Sequence, residues 1–193
     1  MEDNNTIFRE IDILLAQGRY QDAIPLLLNI LYEEPDNKDA LHRIGVAYTE
    51  SGDQDAALKT LKYILTMEQN DADIWEAYGC ACYRKSNLKE AKIAFEKAIE
   101  IFPQHASALR NLGVTLNMLR KFKESYEILH KSLEINDNDY LTLFALSNVC
   151  INLDYLEEAR KTLNRLLNMD IPEDIRKQAE ITLQNVDIHR KHF

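Results

Sequence analysis

The sequence predicts an all-α fold made of successive helix-turn-helix repeats, and three observations support this prediction. The first is composition: Leu, Ile, Ala and Glu are the commonest of the 193 residues, and Leu, Ala and Glu favour helices, as does Lys. The second is that five Gly and four Pro are too few for the many turns of an all-β protein. The third is a pattern of apolar and small residues that returns with a period of about 34 residues along most of the chain.

The repeat is clearest in the stretch WEAYGCACY, residues 75–83. Moving by one period towards either terminus brings residues of similar character to the same places. These are Leu41, Ile44, Gly45, Tyr48, Ala57 and Leu61 on one side, and Leu109, Leu112, Gly113, Leu116 and Leu129 on the other. The frame fits twice more without an insertion. The sequence therefore predicts five repeats over residues 4–173, with bounds at 4–37, 38–71, 72–105, 106–139 and 140–173.

Each repeat is predicted to form two helices joined by a turn. In the third repeat, two sets of apolar or small residues follow each other at helical spacing; these are Trp75, Tyr78, Gly79 and Cys82, and then Ala91, Phe95, Ala98 and Ile99. The turn is expected at Ser86–Asn87, because Gly18 and Gly52 occupy the equivalent position. Pro35 and Pro103 end the second helix where the next repeat begins.

The second helix of the first repeat contains Pro25. A helix tolerates proline without disruption only in its first turn. We therefore expect this helix either to begin late, near Asp22, or to be kinked.

Residues 174–193 are predicted to form a C-terminal capping helix and a tail. Ile175, Ala179, Leu183 and Val186 lie at helical spacing and form one apolar face. A stack of helix pairs needs a cover for the apolar face of its last pair. We therefore expect this helix to cover the end of the stack.

This pattern resembles the tetratricopeptide repeat family, whose consensus runs W-x2-L-G-x2-Y, then A-x3-F, then P. The third repeat carries five of the family's residues, namely Trp75, Gly79, Ala91, Phe95 and Pro103. It departs from the family where Tyr78 replaces the Leu and Cys82 replaces the Tyr. The resemblance covers residues 4–173 and implies a right-handed α-solenoid whose first helices line a concave groove. The motif is specific for the fold and says little about function.

Composition narrows the classes of partner. The net charge of −9 argues against nucleic acid as a partner, because binding it requires a surplus of Lys and Arg. We see no run of 18 apolar residues, so we expect no integral membrane segment. The N-terminus shows no apolar signal region, and three cysteines, an odd number, suggest reduced thiols. We therefore expect a cytoplasmic protein.

Cys80 and Cys82 raise the question of a metal or redox site. Residues two apart on a helix point about 200° away from each other, so the two thiols cannot both face one ion. A C-x-C pair also lacks the spacing of the usual zinc sites. Cys82 and Cys150 occupy a core position of the repeat, so we expect both to be buried packing residues. Cys80 is expected to face the groove, and a regulatory role for its thiol is the alternative interpretation. His189 and His192 could share a metal by their spacing, but we expect them to be solvated.

No motif for catalysis is apparent. The sequence lacks a nucleotide-binding loop, a serine-hydrolase elbow and a zinc-protease helix. No pair of carboxylates stands isolated on an apolar face, so a general acid and base have no support. We therefore expect no catalytic residues, no metal and no cofactor, and we expect that the chain is not an enzyme.

The resemblance places the groove on the first helix of each repeat, at its positions 2, 5, 6, 9, 12 and 13. The earlier repeats put charged residues there, and the later repeats put amide and apolar residues there. An Asn side chain offers two donors and an acceptor to the backbone of an extended peptide, and apolar neighbours form pockets for its side chains. The predicted partner-binding residues are Tyr83, Arg110, Asn111, Val114, Asn117, Met118, Leu141, Phe144, Asn148, Ile151 and Asn152.

Two functions stay open at this stage. The first is a protein-interaction module or adaptor that binds a peptide segment or a partner protein in the groove. The alternative is a self-associating structural scaffold, which would make the chain a homo-oligomer. The asparagines also have a simpler interpretation, in which they are tolerated on a solvated helix face. A further alternative is that the final helix, or a neighbouring copy of the chain, fills the groove.

One class of partner is not expected. Some members of the family hold the C-terminal carboxylate of chaperones with a clamp of Lys, Asn, Asn, Lys and Arg. The matching positions of the first three repeats carry Phe8, Asp12, Arg43, Asp73 and Ala77, and a shift by one repeat gives His42, Val46, Ala77, Ser107 and Asn111. Neither set forms a basic clamp, so we expect no binding of a chaperone tail of the EEVD type.

Overall fold

The computed structural model describes the backbone of residues 4–191 and the side chains of residues 6–188, and within this part eleven helices and no strands are present. The predicted all-α class is therefore confirmed. The chain divides into two compact parts, an N-terminal half of residues 1–101 and a C-terminal half of residues 102–193. The helices of the N-terminal half are α1 Asn4–Ala16, α2 Tyr20–Glu33, α3 Lys38–Ser51, α4 Gln54–Met67, α5 Ala72–Arg84 and α6 Leu88–Ile101. Those of the C-terminal half are α7 Ala106–Met118, α8 Phe122–Ile135, α9 Tyr140–Asn152, α10 Leu156–Leu167 and α11 Glu173–Lys191.

The starts of the helices recur at the spacing found in the sequence. The odd-numbered helices α1 to α9 begin at residues 4, 38, 72, 106 and 140, and the even-numbered helices α2 to α10 begin at residues 20, 54, 88, 122 and 156. Each odd-numbered helix packs against the helix that follows it. We propose that these five helix pairs are the repeats, with the boundaries predicted above. No helix among the described residues is long and apolar enough to cross a bilayer.

Glycines allow the two helices of a pair to approach closely. A Cβ atom added to Gly79 would lie 2.5 Å from Cε1 of Phe95, and one added to Gly45 would lie 2.7 Å from Cδ2 of Leu61. These distances are far below van der Waals contact. The side chains of Phe95 and Leu61 therefore fill space that any larger residue in place of the glycines would occupy.

The C-terminal half closes its core with α11. Ala179 and Val186 of this helix are buried in one cluster with Leu163 and Leu166 of α10. Arg176 donates from Nη1 to the carbonyl oxygen of Leu167 and from Nη2 to that of Met169, at 2.9 Å each. The guanidinium thus satisfies carbonyl groups at the end of α10, which lack partners within the helix. We propose that α11 is the predicted cap.

The turn inside each pair uses a left-handed residue. Gly18 and Gly52 have φ of 71° and 95°, and the equivalent residues of the next three helix pairs are Ser86, Arg120 and Asp154, with φ of 62°, 60° and 61°. A side chain at such a φ costs about 1–2 kcal/mol. Sequence reasoning predicted a turn at Ser86. The structure shows the same left-handed conformation at two further positions that lack a glycine, Arg120 and Asp154.

Pro25 lies inside α2, which begins at Tyr20. Of the two expected alternatives, the late start near Asp22 is therefore wrong, and the kink stays a prediction. Proline has no N–H, so the carbonyl of Gln21 lacks its usual donor four residues on. Pro25 itself is exposed, and water can reach the helix at this point.

Candidate functional site

A hollow of about 350 Å³ lies between α7 and α9 in the C-terminal half. Seven of the eight residues that line it belong to the predicted partner-binding set, and Ala145 is the addition. Every lining residue is half-buried or exposed, so the hollow is reachable from solvent. Its lining consists of Arg110, Asn111, Val114, Asn117, Leu141, Phe144, Ala145 and Asn148.

The helical spacing of α7 and α9 explains why these residues meet. On α7, Leu109, Leu112 and Leu116 are buried in the core, and Arg110, Asn111 and Val114 lie on the opposite side and line the hollow. α9 is apolar on both sides, because Leu143 and Leu146 enter the core while Leu141 and Phe144 line the hollow. Leu141 is 39% exposed, whereas Phe144 is partly buried and also packs against the core cluster of this half. The inner side of α9 is therefore a candidate for contact with a partner.

An ion pair closes one edge of the hollow. Nη1 of Arg110 lies 2.9 Å from Oδ2 of Asp139, and the two side chains are 22% and 12% exposed. Asp139 also caps α9, because its Oδ1 accepts from the N–H of Leu141 at 3.1 Å, and its Oδ2 accepts from the hydroxyl of Thr142 at 2.6 Å. Burial acts to raise the pKa of Asp139, but the hydrogen bonds from Thr142 and Arg110 outweigh it and lower the pKa. The charge of Arg110 is therefore compensated by the chain itself.

A buried hydroxyl network supports this ion pair from behind. Thr142 and Ser132 are fully buried, and their hydroxyl oxygens lie 3.3 Å apart. Ser132 also donates to the carbonyl of Ala106 at 3.0 Å. The starts of α7 and α9 are thus joined through α8. Sequence reasoning missed this network, although two hydroxyl residues within apolar faces were a signal that could have found it.

The predicted asparagines differ in their partners. Nδ2 of Asn152 donates to Oδ1 of Asn117 at 2.9 Å and links the ends of α9 and α7. Asn148 is half-buried and lines the hollow, and its amide forms no hydrogen bond with the residues that the structure describes. A half-buried amide without a partner in the chain is able to bind a ligand's backbone. Asn148 therefore stands out among the predicted residues.

Some predicted residues lie outside the hollow. Met118 is 57% exposed at the end of α7, and Ile151 and Asn152 follow the last lining residue on α9. Tyr83 is half-buried on α5, in the N-terminal half. Among the described residues of α11, none lines the hollow, so this helix does not fill it.

The charged inner residues of the N-terminal half pair with one another. Nε of Arg43 lies 2.8 Å from Oδ1 of Asp12, and its guanidinium lies 5.0 Å from the centre of the Phe8 ring. Nη2 of Arg84 lies 2.5 Å from Oε2 of Glu50. These contacts connect successive odd-numbered helices. These charges, which the sequence analysis expected to line a groove, thus serve the packing of the helices.

The cysteines are packing residues with one exception. Cys82 and Cys150 are fully buried as expected, and burial raises the pKa of their thiols to about 11 and about 12. Such thiols are protonated at neutral pH and react slowly. Cys80 is half-buried, with Sγ 3.4 Å from Oε1 of Glu76.

A metal site was considered for two places in the sequence. Within the described part of the chain, no three His, Cys, Asp or Glu side chains come close enough to hold an ion. The pair His189 and His192 lies outside the side chains that the structure describes.

Comparison with known proteins decides the family. Three models described as tetratricopeptide repeat match residues 14–79, 72–105 and 141–170. The chain belongs to the tetratricopeptide repeat family. This tetratricopeptide repeat chain is similar to the crystal structure of TTC0263, a thermophilic TPR protein in Thermus thermophilus. The match covers 94% of this chain and 100% of TTC0263, with a TM-score of 0.83 and 20% sequence identity. This likeness shows the fold.

Longer relatives contain similar tetratricopeptide repeats. Tetratricopeptide repeat protein 13 of Homo sapiens is 25% identical over 177 residues, which cover 88% of this chain and 20% of that protein. The peroxisomal targeting signal receptor of Komagataella phaffii is 29% identical over 119 residues, which cover 62% of this chain and 20% of the receptor. The chain thus spans about a fifth of the length of these two curated relatives.

Proposed function

We propose that this tetratricopeptide repeat chain is a protein-interaction module, or adaptor, that binds an extended segment of a partner protein in the hollow between α7 and α9. The observation that carries the proposal is the amide of Asn148, which faces an accessible apolar hollow with no hydrogen-bond partner among the described residues. The proposal retains the expectations from the sequence that the chain is non-catalytic and cytoplasmic.

The chemistry of the hollow limits the segment that fits. Leu141, Phe144 and Val114 offer an apolar wall, which suits one aliphatic or aromatic side chain. Asn148 then donates to, or accepts from, the backbone beside that side chain. Because Arg110 is occupied by Asp139, the hollow has no spare cation to select an acidic residue. An uncharged apolar segment in extended conformation is therefore the preferred ligand.

The relatives support a role in protein recognition. The Komagataella phaffii relative is, by its name, a receptor for a targeting signal. The compensated cations Arg43 and Arg84 also fit the expectation that no chaperone tail of the EEVD type is bound, since neither is available for a carboxylate.

Selection from a displayed library of random peptides tests the proposal. The wild-type chain is expected to enrich peptides with an apolar residue at a fixed position, and the double variant Phe144→Ala, Asn148→Asp is expected to lose them. Ile135→Ala is the matched control, because Ile135 is an exposed apolar residue on α8 and lies outside the hollow. Equal enrichment by the double variant and the wild type would show that the segment binds elsewhere.

A self-associating scaffold is the second candidate, and one feature of α11 favours it. Ile181 and Ile188 lie two turns apart on this helix and are 59% and 54% exposed. Two such residues on one side of a terminal helix suit contact with a second copy. Sedimentation equilibrium over a range of concentrations tests this candidate. A dimer that Ile181→Gln, Ile188→Gln abolishes would support it, and a monomer at all concentrations would exclude it.

A further inference from the structure

A second hollow lies on the even-numbered helices of the N-terminal half, between α4 and α6, and has a volume of about 750 Å³. Leu65, Trp75, Ile93 and Ala94 provide apolar surface, and Ile93 is 57% exposed. We call this place the Trp75 hollow. It is larger than the hollow of the proposed function and shares no residue with it.

The charges around the Trp75 hollow leave one cation in excess. Glu90 accepts a hydrogen bond from the hydroxyl of Tyr78, and its Oε1 lies 3.6 Å from Nζ of Lys62. The charges of Glu90 and Lys62 therefore compensate each other. Lys89 also lines the hollow, and none of the described carboxylates pairs with its ammonium group. The chain as a whole has a net charge of −9, so a local excess of positive charge is unusual here.

The C-terminal half has a hollow at the equivalent place, two repeats further along the chain, between α8 and α10. Its volume is about 700 Å³, so the two are similar in size. Leu143 and Leu146 replace Trp75 and Tyr78 there, Glu157 replaces Lys89, and Lys161 replaces Ile93. Four carboxylates face only two permanent cations in its lining; these are Glu134, Asp137, Glu157 and Glu158 with Lys161 and Arg165. The fold therefore does not dictate the aromatic and cationic lining of the Trp75 hollow.

We propose that the Trp75 hollow is a second binding site, for a segment of a partner protein that has an apolar side chain next to a carboxylate. The apolar side chain packs on Leu65, Trp75 and Ile93, and the carboxylate pairs with Lys89. The site commits the partner to acidic chemistry, whereas the hollow between α7 and α9 prefers an uncharged segment. With both sites, the chain would bind an acidic segment and an uncharged segment of partner proteins at the same time.

Trp75 is the sole tryptophan of the chain and reports directly on this site. Its indole Nε1 donates to the carbonyl of Gln69 at 2.9 Å, so it gives one distinct indole signal in a ¹⁵N–¹H spectrum. We would titrate the full chain with three capped pentapeptides, Gly-Asp-Leu-Asp-Gly, Gly-Lys-Leu-Lys-Gly and Gly-Asp-Gly-Asp-Gly. The first is expected to shift the indole signal with a dissociation constant of about 1 mM or tighter. The other two are expected to bind at least about tenfold more weakly, because one has the wrong charge and one has no apolar side chain.

Two substitutions make the site resemble its counterpart in the C-terminal half. Lys89→Glu and Ile93→Lys introduce the residue types found at 157 and 161, and both positions are exposed, so the fold is retained. The double variant is expected to lose at least about tenfold in affinity for the acidic peptide. Lys97→Glu on the same helix is the control, because Lys97 is exposed and outside the hollow.

The outcomes separate this proposal from the previous one. Phe144→Ala is expected to leave the titration of the indole signal unchanged. Equal shifts from the three peptides, no shift from the acidic one at about 5 mM, or full binding by the Lys89→Glu, Ile93→Lys variant would each overturn the proposal for the Trp75 hollow. None of these results would bear on the hollow between α7 and α9.

Discussion

Arg110 on α7 and Asp139 at the start of α9 form a half-buried ion pair with 2.9 Å between Nη1 and Oδ2. The same carboxylate caps α9 and accepts the hydroxyl of Thr142. One side chain therefore holds two helices in place and compensates the only cation in the lining of the hollow between them. The geometry of the hollow, and the preference for an uncharged ligand that we propose for it, depend on this contact.

Replacing Asp139 by Ala is expected to lower the free energy of unfolding of the C-terminal half by about 2–3 kcal/mol, because a helix cap and a hydrogen-bonded charge are lost together. Urea unfolding followed by circular dichroism measures the change. Asp137→Ala is the matched control, since that side chain is 69% exposed and its ion pair with Arg165 lies at the surface. A loss of less than about 1 kcal/mol is expected there. Equal losses from both variants would contradict the role given to Asp139.

His42 on α3 makes stability depend on pH. Burial lowers the pKa of this imidazole below the usual 6.5, although the nearby carboxylates Asp71 and Asp73 act in the opposite direction. The unfolded chain therefore binds a proton at a higher pH than the folded chain. The contribution to stability is complete above pH 6.5 and is lost as the pH falls from there through the folded pKa.

The expected result is that wild type loses more stability than His42→Gln between about pH 7.5 and about pH 5.5, since the other histidines are common to both. Thermal unfolding at the two pH values, with the imidazole titrated by NMR, measures this difference. Identical pH dependence in the two proteins would show that His42 has the same pKa in both states.

The left-handed turn residues predict stabilising substitutions. Arg120→Gly and Asp154→Gly are each expected to raise the free energy of unfolding by about 0.5–1 kcal/mol, because glycine adopts this left-handed φ without the Cβ clash. Lys123→Gly, in the first turn of α8, is the control for a glycine at a helical position. It is expected to lower the free energy of unfolding by up to about 1 kcal/mol. A loss of stability from both turn variants would mean that the side chains make contacts worth more than the backbone strain.

Gly113 is expected to tolerate no larger residue. A Cβ atom there would lie 2.5 Å from Cγ of Leu129, which is fully buried. Gly113→Ala is therefore expected to lower the free energy of unfolding by about 1–3 kcal/mol, despite the better helix propensity of alanine. Adding Leu129→Val should recover part of the loss. The free energy of unfolding lost by the double variant is then smaller than the sum of the losses of the two single variants. Additive losses would show that the two residues do not share the same space.

Much of the fold was predictable because helix pairs must bury apolar residues at a fixed spacing. Trp75, Gly79 and Phe95 recur in kind from one repeat to the next, and this pattern gave the all-α repeat fold. The side-chain caps Asn37, Asp71, His105 and Asp139 also follow each other at the repeat spacing, and this signal was overlooked. The alternative of a late start for α2 was wrong, because packing of Leu27 and Ile30 maintains the helix across Pro25.

The candidate site was predictable in its members and not in its pairing. Helical spacing alone places Asn111, Val114 and Asn148 on the accessible side of their helices. The ion pair of Arg110 joins residues 29 positions apart, and its formation depends on how two helices approach each other. Sequence reasoning also overlooked the Trp75 hollow, since the ion pair of Lys62 and Glu90 depends on how α4 and α6 approach each other.

The most direct test of the central claim is the side-chain amide signal of Asn148 in a ¹⁵N–¹H spectrum, recorded with and without a peptide selected on the wild-type chain. The account predicts a shift of this signal on binding, no shift of the exposed Asn168 amide, and at least about tenfold weaker binding by Asn148→Ala. An unchanged Asn148 signal in the saturated complex, with full affinity in Asn148→Ala, would contradict the claim that the hollow between α7 and α9 holds the partner.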